Sequence, residues 1–299
     1  MEKISINGKL VSENEGAICL KSPSIRYGIM VFDATNIYYC GENQSCKIFR
    51  LREHIERLLY SCARIGLRLK FSEDEIVKFA IDLIKSRRTF TDAGLRFFVY
   101  YNKEESFTTN TLANLAIYIL DLTKVKMSDN IKLSISDYQK SENGMLPAQI
   151  KSTAHYAYSR IAVIKAQRTG FDDVIFLNQN GYITESSRSN IFIIKNGCVL
   201  TPPVSTGILD GITRRSIIEL CEHLQIPIIQ QNMTRYDLYS SDCVFLTGST
   251  SGITYVSKID DITFSNEHAL EILNMIKRAY TESCRGELKK EWITQIQLN

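Results

Sequence analysis

At 299 residues the chain exceeds one small core and fits two domains of ordinary size better than one large one. Hydrophobic residues at 44% and charged residues at 23% give the balance of a globular protein, which excludes a disordered or fibrous chain. The net charge of +3 comes from 36 basic and 33 acidic residues spread along the sequence without a basic cluster, which argues against nucleic acid as a partner.

No window approaches the roughly 20 apolar residues of a membrane span. The first residues lead into strand-like alternation rather than the apolar run of a secretion signal, so a cytoplasmic location is expected. The eight cysteines form no CxxC pair and read as reduced core thiols, and the four histidines lack ligand spacing, so no metal is expected.

In chain order, residues 4–11 alternate about Asn7-Gly8, a two-residue hairpin turn, and a second strand is expected over 31–40. Ile55, Leu58, Leu59, Cys62 and Ile65 recur at helical spacing before Gly66, and Arg57 falls off that stripe. Ser72 can cap a helix to Lys85, with Glu73 and Glu75 at its positive end. Strands over 95–101 and 115–120 complete an antiparallel sheet with two helices, an α+β domain over residues 1–122.

Polarity rises over 123–130, the expected interdomain connection, and a second α+β domain follows over 131–299. It begins with a strand over 131–136 and a helix from about Thr153 to Arg168, ended by Gly170. Two hairpins turn at Asn178 to Gly181 and at Asn196-Gly197. A helix over 213–224, strands over 227–230, 243–246 and 253–256, and a long helix over 269–285 complete it.

Taken singly, the polar residues of the second domain have ordinary explanations. Lys151 reads as a surface lysine and Glu185 as one carboxylate among many, although Ser186 to Ser189 after it suit a tight loop. Gly211-Ile212-Thr213 opens an amphipathic helix and offers free N–H groups to an anion, but a plain threonine cap accounts for it equally well. The hydroxyl-rich turn Thr247 to Gly252 could line the same anion.

Together these residues belong to a longer series. It runs through Tyr27-Gly28 with Val31-Phe32, IFRLREHIERL over 48–58, Lys151 with Tyr156, and GYITE over 181–185 leading to Asn190-Ile191-Phe192. Thr201-Pro202-Pro203, Gly211-Ile212-Thr213-Arg214 and Asp237-Leu238-Tyr239 with Phe245-Leu246-Thr247-Gly248 continue it. Over nearly the whole chain the series resembles the fold-type IV pyridoxal-phosphate enzymes, most of all the branched-chain amino acid aminotransferases.

That resemblance implies a two-domain α+β fold with the cofactor between the domains, and a ping-pong transfer of an amino group between an amino acid and a 2-oxo acid. A branched-chain-like L-amino acid and 2-oxoglutarate are the expected pair. Lys151 would hold the cofactor as a Schiff base and move the proton at the substrate Cα, and Glu185 would pair with the pyridine nitrogen. Tyr156 would donate to the phenolic oxygen, and Arg57, Ile212, Thr213 and Ser249 would hold the phosphate. Ser189, Asn190, Gly211 and Gly248 would complete the cofactor wall, while Tyr27, Phe32, Arg96, Thr250 and Ser251 would surround the substrate. A homodimer is implied as well.

The sequence departs from the branched-chain pattern in places that bear on substrate. Gly94 stands where a tyrosine is usual before the sheet arginine, here Arg96, and Ser189-Asn190 replaces a Glu-Asn pair. Ser187 to Asn190 resembles the serine-rich loop of D-amino acid aminotransferases except for Arg188, and residues 102–110 lack the Arg and His pair expected of those enzymes. A D-amino acid aminotransferase and an aminodeoxychorismate-lyase-like enzyme are therefore the alternatives. A non-catalytic cofactor-binding scaffold is opposed by the presence of both Lys151 and Glu185.

Overall fold

The structure, a computed structural model, describes residues 3–88, 90–122, 130–140 and 146–298. It falls into two compact units, one of Met1–Lys126, Ile150–Ala154 and Ser283–Asn299, the other of Met127–Gln149 and His155–Glu282. Residues 123–129 of the expected connection lie outside the described residues.

In the first unit β1 (Lys3–Ile6) and β2 (Lys9–Ser12) form the expected hairpin, with Asn7 and Gly8 at φ 52° and 83° as a type I′ turn requires. Then come α1 (Pro23–Tyr27), β3 (Met30–Cys40), β4 (Ser45–Phe49), α2 (Leu51–Arg64), α3 (Glu73–Lys85), β5 (Ala93–Tyr100) and β6 (Asn114–Asp121). Ser72 caps α3 by accepting from Glu75 N–H, and the Glu75 carboxylate accepts in return from Ser72 N–H.

The antiparallel pairing of β3, β5 and β6 sorts side chains by strand alternation. Val31, Asp33, Thr35 and Ile37 share a face with Leu95, Phe97 and Val99, against which α2 packs. The opposite face carries Phe32, Ala34 and Asn36 beside Phe98, Arg96 and Gly94.

The second unit holds β7 (Asn130–Lys140), α4 (Ala154–Gln167), β8 (Asp173–Asn178), β9 (Ile183–Ser186), β10 (Asn190–Lys195), β11 (Cys198–Thr201), α5 (Ile212–His223) and β12 (Ile228–Gln230). It continues with α6 (Arg235–Tyr239), β13 (Cys243–Gly248), β14 (Gly252–Ile259), β15 (Ile262–Thr263) and α7 (Glu267–Cys284). Asn196 and Gly197, at φ 50° and 75°, make the expected turn between β10 and β11.

The strand order β10-β13-β14-β7-β8-β9 closes on itself, because β9 pairs back with β10 through Glu185 opposite Asn190. Leu133, Ile175, Leu177, Ile183, Ile191, Ile193, Val244, Leu246 and Val256, from all six strands of that ring, form one buried cluster, so a packed apolar core holds the ring together. Outside it, Ala162 and Ala166 of α4 pack on Val174 and Phe176.

A final strand, β16 (Ile293–Gln297), pairs antiparallel with β4 and so extends the sheet of the first unit. The long helix expected over 269–285 is α7, but the sequence reading contained no strand after it. Its residues, ITQIQ, lack strict alternation, and only pairing with β4 makes the strand visible.

Candidate active site

Lys151 belongs to the first unit because its short segment is stitched to the start of β3. Phe32 N–H donates to Lys151 O (3.1 Å), Thr153 N–H to Met30 O (3.1 Å) and Ser152 Oγ to Met30 O (3.0 Å). Lys151 N–H donates in turn to Ser61 Oγ of α2 (3.1 Å). These bonds place the amine 4.8 Å from the centre of the Phe32 ring, so lysine and aromatic face are presented together.

Arg57 corrects the sequence reading. It is 9% exposed, and its Nε and Nη2 donate to the Asp33 carboxylate at 2.8 and 2.9 Å. His54, one helical turn earlier, has Nδ1 2.7 Å from the same carboxylate. The helix therefore turns His54 and Arg57 together onto a buried acid, and Arg57 lies within the buried stripe rather than off it.

Burial opposes charge on Asp33, but the Arg57 guanidinium and His54 hold its carboxyl well below the usual range. Burial also pushes His54 down to about 4 despite the pull of Asp33. Neither Asp33 nor His54 was singled out from sequence. The available signal was a lone acid within an apolar strand, and it gains meaning only beside α2.

On the face that also bears Phe32, Arg96 is 6% exposed and its Nη1 donates to Thr35 O and Leu95 O, both at 3.2 Å. Tyr27 ends α1, 45% exposed and edge-on to Phe107 at 5.3 Å.

In the second unit the pairing of β9 with β10 on one side and β8 on the other brings the acid and its partners together. Glu185 is 7% exposed; one carboxylate oxygen accepts from the Lys140 ammonium, and the other accepts from Asn190 Nδ2 (3.0 Å) and Leu209 N–H (3.2 Å). Asn190 Nδ2 also donates to Leu209 O at 2.9 Å. Lys140, at the end of β7, is a partner of Glu185 that sequence reasoning did not find.

Gly211 is the N-cap of α5 and provides no side-chain cap, and Ile212 and Thr213 start the helix, buried. A Cβ on Gly211 would stand 2.1 Å from Asn190 Oδ1, so only glycine permits this approach of helix to strand. Ser249, Thr250 and Ser251 form the turn between β13 and β14, and a Cβ on Gly248 would meet Ser189 Oγ at 3.0 Å and Ser251 Oγ at 3.4 Å.

Asn190 also pairs with Thr247, which is 1% exposed and whose hydroxyl has no hydrogen-bond partner among the described residues. Glu185, Ser189, Asn190, Gly211, Gly248 and Ser251 are thereby brought together, with Ile212 and Thr213 at the adjoining helix start. Tyr156 lies half-buried near the start of α4.

Residues 30–259 match the family profile described as amino-transferase class IV. The chain belongs to that family. This class IV aminotransferase is 29% identical to a probable branched-chain-amino-acid aminotransferase of Aquifex aeolicus, covering 99% of this chain and 97% of that one. It is 27% identical to the branched-chain-amino-acid aminotransferase of Escherichia coli K12, with coverage of 99% and 97%. Among solved structures, the branched-chain aminotransferase of Thermoproteus uzoniensis, crystallised with norvaline, superimposes with a TM-score of 0.90 at 32% identity and 98% coverage of both chains. The aminotransferase is thus α+β of fold type IV.

Its residues fit a phosphorylated pyridine cofactor. The uncapped start of the twelve-residue helix α5 supplies N–H groups and a positive end for a phosphate. The unpartnered Thr247 hydroxyl marks a polar neighbour still to be met, and the buried Glu185 carboxylate can accept from a ring N–H and balance its charge.

Proposed function

We propose that this enzyme moves an amino group between a branched-chain-like L-amino acid and a 2-oxo acid such as 2-oxoglutarate, by a ping-pong mechanism. The observation that carries the reading is likeness over 97–99% of both chains to enzymes named for that reaction, together with both Lys151 and Glu185. The cofactor is pyridoxal phosphate, and a Thermobaculum terrenum branched-chain aminotransferase, 25% identical with a TM-score of 0.89, is described in its PLP-form. When bound, it supplies a reactive aldehyde and a ring that withdraws the electrons left when the substrate Cα loses its proton.

The residues of the chain do the rest. Glu185, oriented by Lys140, Asn190 and Leu209, accepts from the ring nitrogen N–H and so holds the proton there. Lys151 carries the cofactor and shuttles the proton at the substrate Cα, with the Phe32 ring shielding one side of its amine from water. Tyr156 donates to the phenolic oxygen. The N–H groups of Ile212 and Thr213, the Ser249 hydroxyl and the Arg57 guanidinium, fixed by Asp33, take the phosphate, and Ser189, Asn190, Gly211 and Gly248 shape the surrounding wall. Tyr27, Phe32, Arg96, Thr250 and Ser251 contact the substrate.

A homodimer belongs to the proposal, supported by Tyr158, Ile161 and Ile164 of α4, exposed at 40, 53 and 37%. A cytoplasmic location belongs to it too, supported by eight cysteines of which none is in a disulfide among the described residues. Among the described residues no helix is long and apolar enough to cross a membrane. A donor screen with L- and D-amino acids against 2-oxoglutarate and pyruvate tests the reaction. Turnover with L-leucine, L-isoleucine and L-valine is expected. Turnover with D-amino acids alone, or pyruvate release from aminodeoxychorismate without amino transfer, overturns the reading.

A further inference from the structure

We propose that Gly94 is a specificity-determining residue. By having no side chain it lets the Arg96 guanidinium lie down on the sheet, which clears the substrate strip for a bulky apolar side chain. The inference rests on the transaminase reading above.

Three observations carry it. Register and alternation place Phe32, Phe98, Arg96 and Gly94 on one sheet face, and the Lys151 amine stands over Phe32 at that face's end. Successive residues on one face of β5 are roughly 7 Å apart, so a substrate anchored at the Lys151 amine extends from Phe32 towards Arg96. Arg96 then stands where the far end of an amino-acid side chain arrives.

Secondly, the guanidinium is turned back rather than raised. Its Nη1 donates to the main-chain oxygens of Thr35 and Leu95, both at 3.2 Å, and the side chain is 6% exposed. Thirdly, the space it occupies is the side-chain position of residue 94. A Cβ built on Gly94 would lie 2.6 Å from Nη1, 2.7 Å from Nη2 and 2.8 Å from Cζ of Arg96. Any residue other than glycine therefore evicts the guanidinium, and because the colliding atoms end a flexible side chain, the strand itself need not move.

The two positions favour different substrates. Lowered onto Thr35 O, the guanidinium leaves the strip to aliphatic or aromatic side chains. Raised from the sheet, it fills that volume and presents a cation to a side-chain carboxylate, which it can bind with two parallel bonds. Glycine at 94 permits both positions, and a side chain at 94 permits only the raised one. Residue 94 thus acts on substrate choice through Arg96 and need not touch the substrate.

The test uses the cofactor-loaded enzyme and follows each amino donor alone in single-turnover half-reactions. For Gly94→Ala, the ratio of kcat/KM for L-glutamate to that for L-leucine is expected to rise about tenfold or more, the effect of about one misplaced methylene in an apolar pocket. In an Arg96→Met background the same substitution is expected to change the ratio less than about twofold, since the coupled partner is gone. An unchanged ratio in Gly94→Ala, or an equal change in both backgrounds, overturns the proposal.

A crystal structure of Gly94→Ala gives a readout independent of turnover. The bonds from Arg96 to Thr35 O and Leu95 O are expected to be lost, and a guanidinium still lying there overturns the proposal. If the unmodified enzyme converts no amino acid, the transaminase reading fails, while the crystal structure still decides whether residue 94 sets the position of Arg96.

Discussion

Replacing His54 by asparagine removes the one partner of the Asp33–Arg57 pair whose titration in the unfolded chain lies near neutrality, while leaving an N–H about where the imidazole Nδ1 stands. Burial holds His54 down to about 4 in the folded chain, whereas in the unfolded chain it titrates near ~6.5. The unfolded chain therefore takes up this proton first. The stability tied to His54 is complete above about 6.5 and is lost as pH falls towards about 4.

At about 1.4 kcal/mol for each pH unit separating the two titrations, His54 removes roughly 2–3 kcal/mol between about pH 7.5 and about pH 4.5. Asp33, held low in the folded chain, confers stability that is present above its unfolded value and starts to be lost only below about pH 4. The two effects separate. The only tryptophan, Trp292, is buried in the same unit and stacked under Arg50 at 3.9 Å, so its fluorescence reports urea unfolding of that unit. The difference between unmodified protein and His54→Asn is expected to shift by roughly 2–3 kcal/mol across this range. Parallel stability curves would refute the assignment of a neutral buried histidine.

Two further outcomes concern the second unit. Lys140→Met leaves the buried Glu185 without its ammonium and is expected to weaken equilibrium binding of pyridoxal phosphate to the cofactor-free protein about tenfold or more, with Lys140→Arg recovering most of it; equal affinity in all three proteins would remove Lys140 from the site. Gly211→Ala drives a Cβ into Asn190 Oδ1 and is expected to lower pyridoxal phosphate affinity and shift Tm down by several degrees, by about 2 °C or more for each kcal/mol in a chain of this size, read by titration and by calorimetry.

Local chemistry made much of this fold legible. Asn7-Gly8 and Asn196-Gly197 specify their turns through positive φ, and Ser72 with Glu75 specifies the start of α3, because these signals lie within a few residues of what they control. Lys151 and Glu185 stood out once their order along the chain resembled a known series, although each alone looked ordinary. Lys140, Asp33 and His54 were not legible, because their meaning depends on neighbours that packing supplies. Lys140 meets Glu185 only when β7, β8 and β9 lie side by side, and Asp33 meets Arg57 only when α2 lies on β3. Arg57 was misread for a related reason: a periodicity of apolar residues does not anticipate a buried acid that draws a cation inward.

The pairing of β16 with β4 sets a timetable for synthesis. A ribosome that has just made β4 must add roughly 240 more residues before its partner exists, which at about 5–20 residues per second leaves that edge open for some 10–50 s. During that interval Cys46 and Ile48 lie on an unpaired edge able to accept a strand from another chain. Yield of soluble protein from a cell should therefore respond to translation rate and to chaperones that hold strands, and substitutions in Ile293–Gln297 should lower yield before they lower activity per folded molecule.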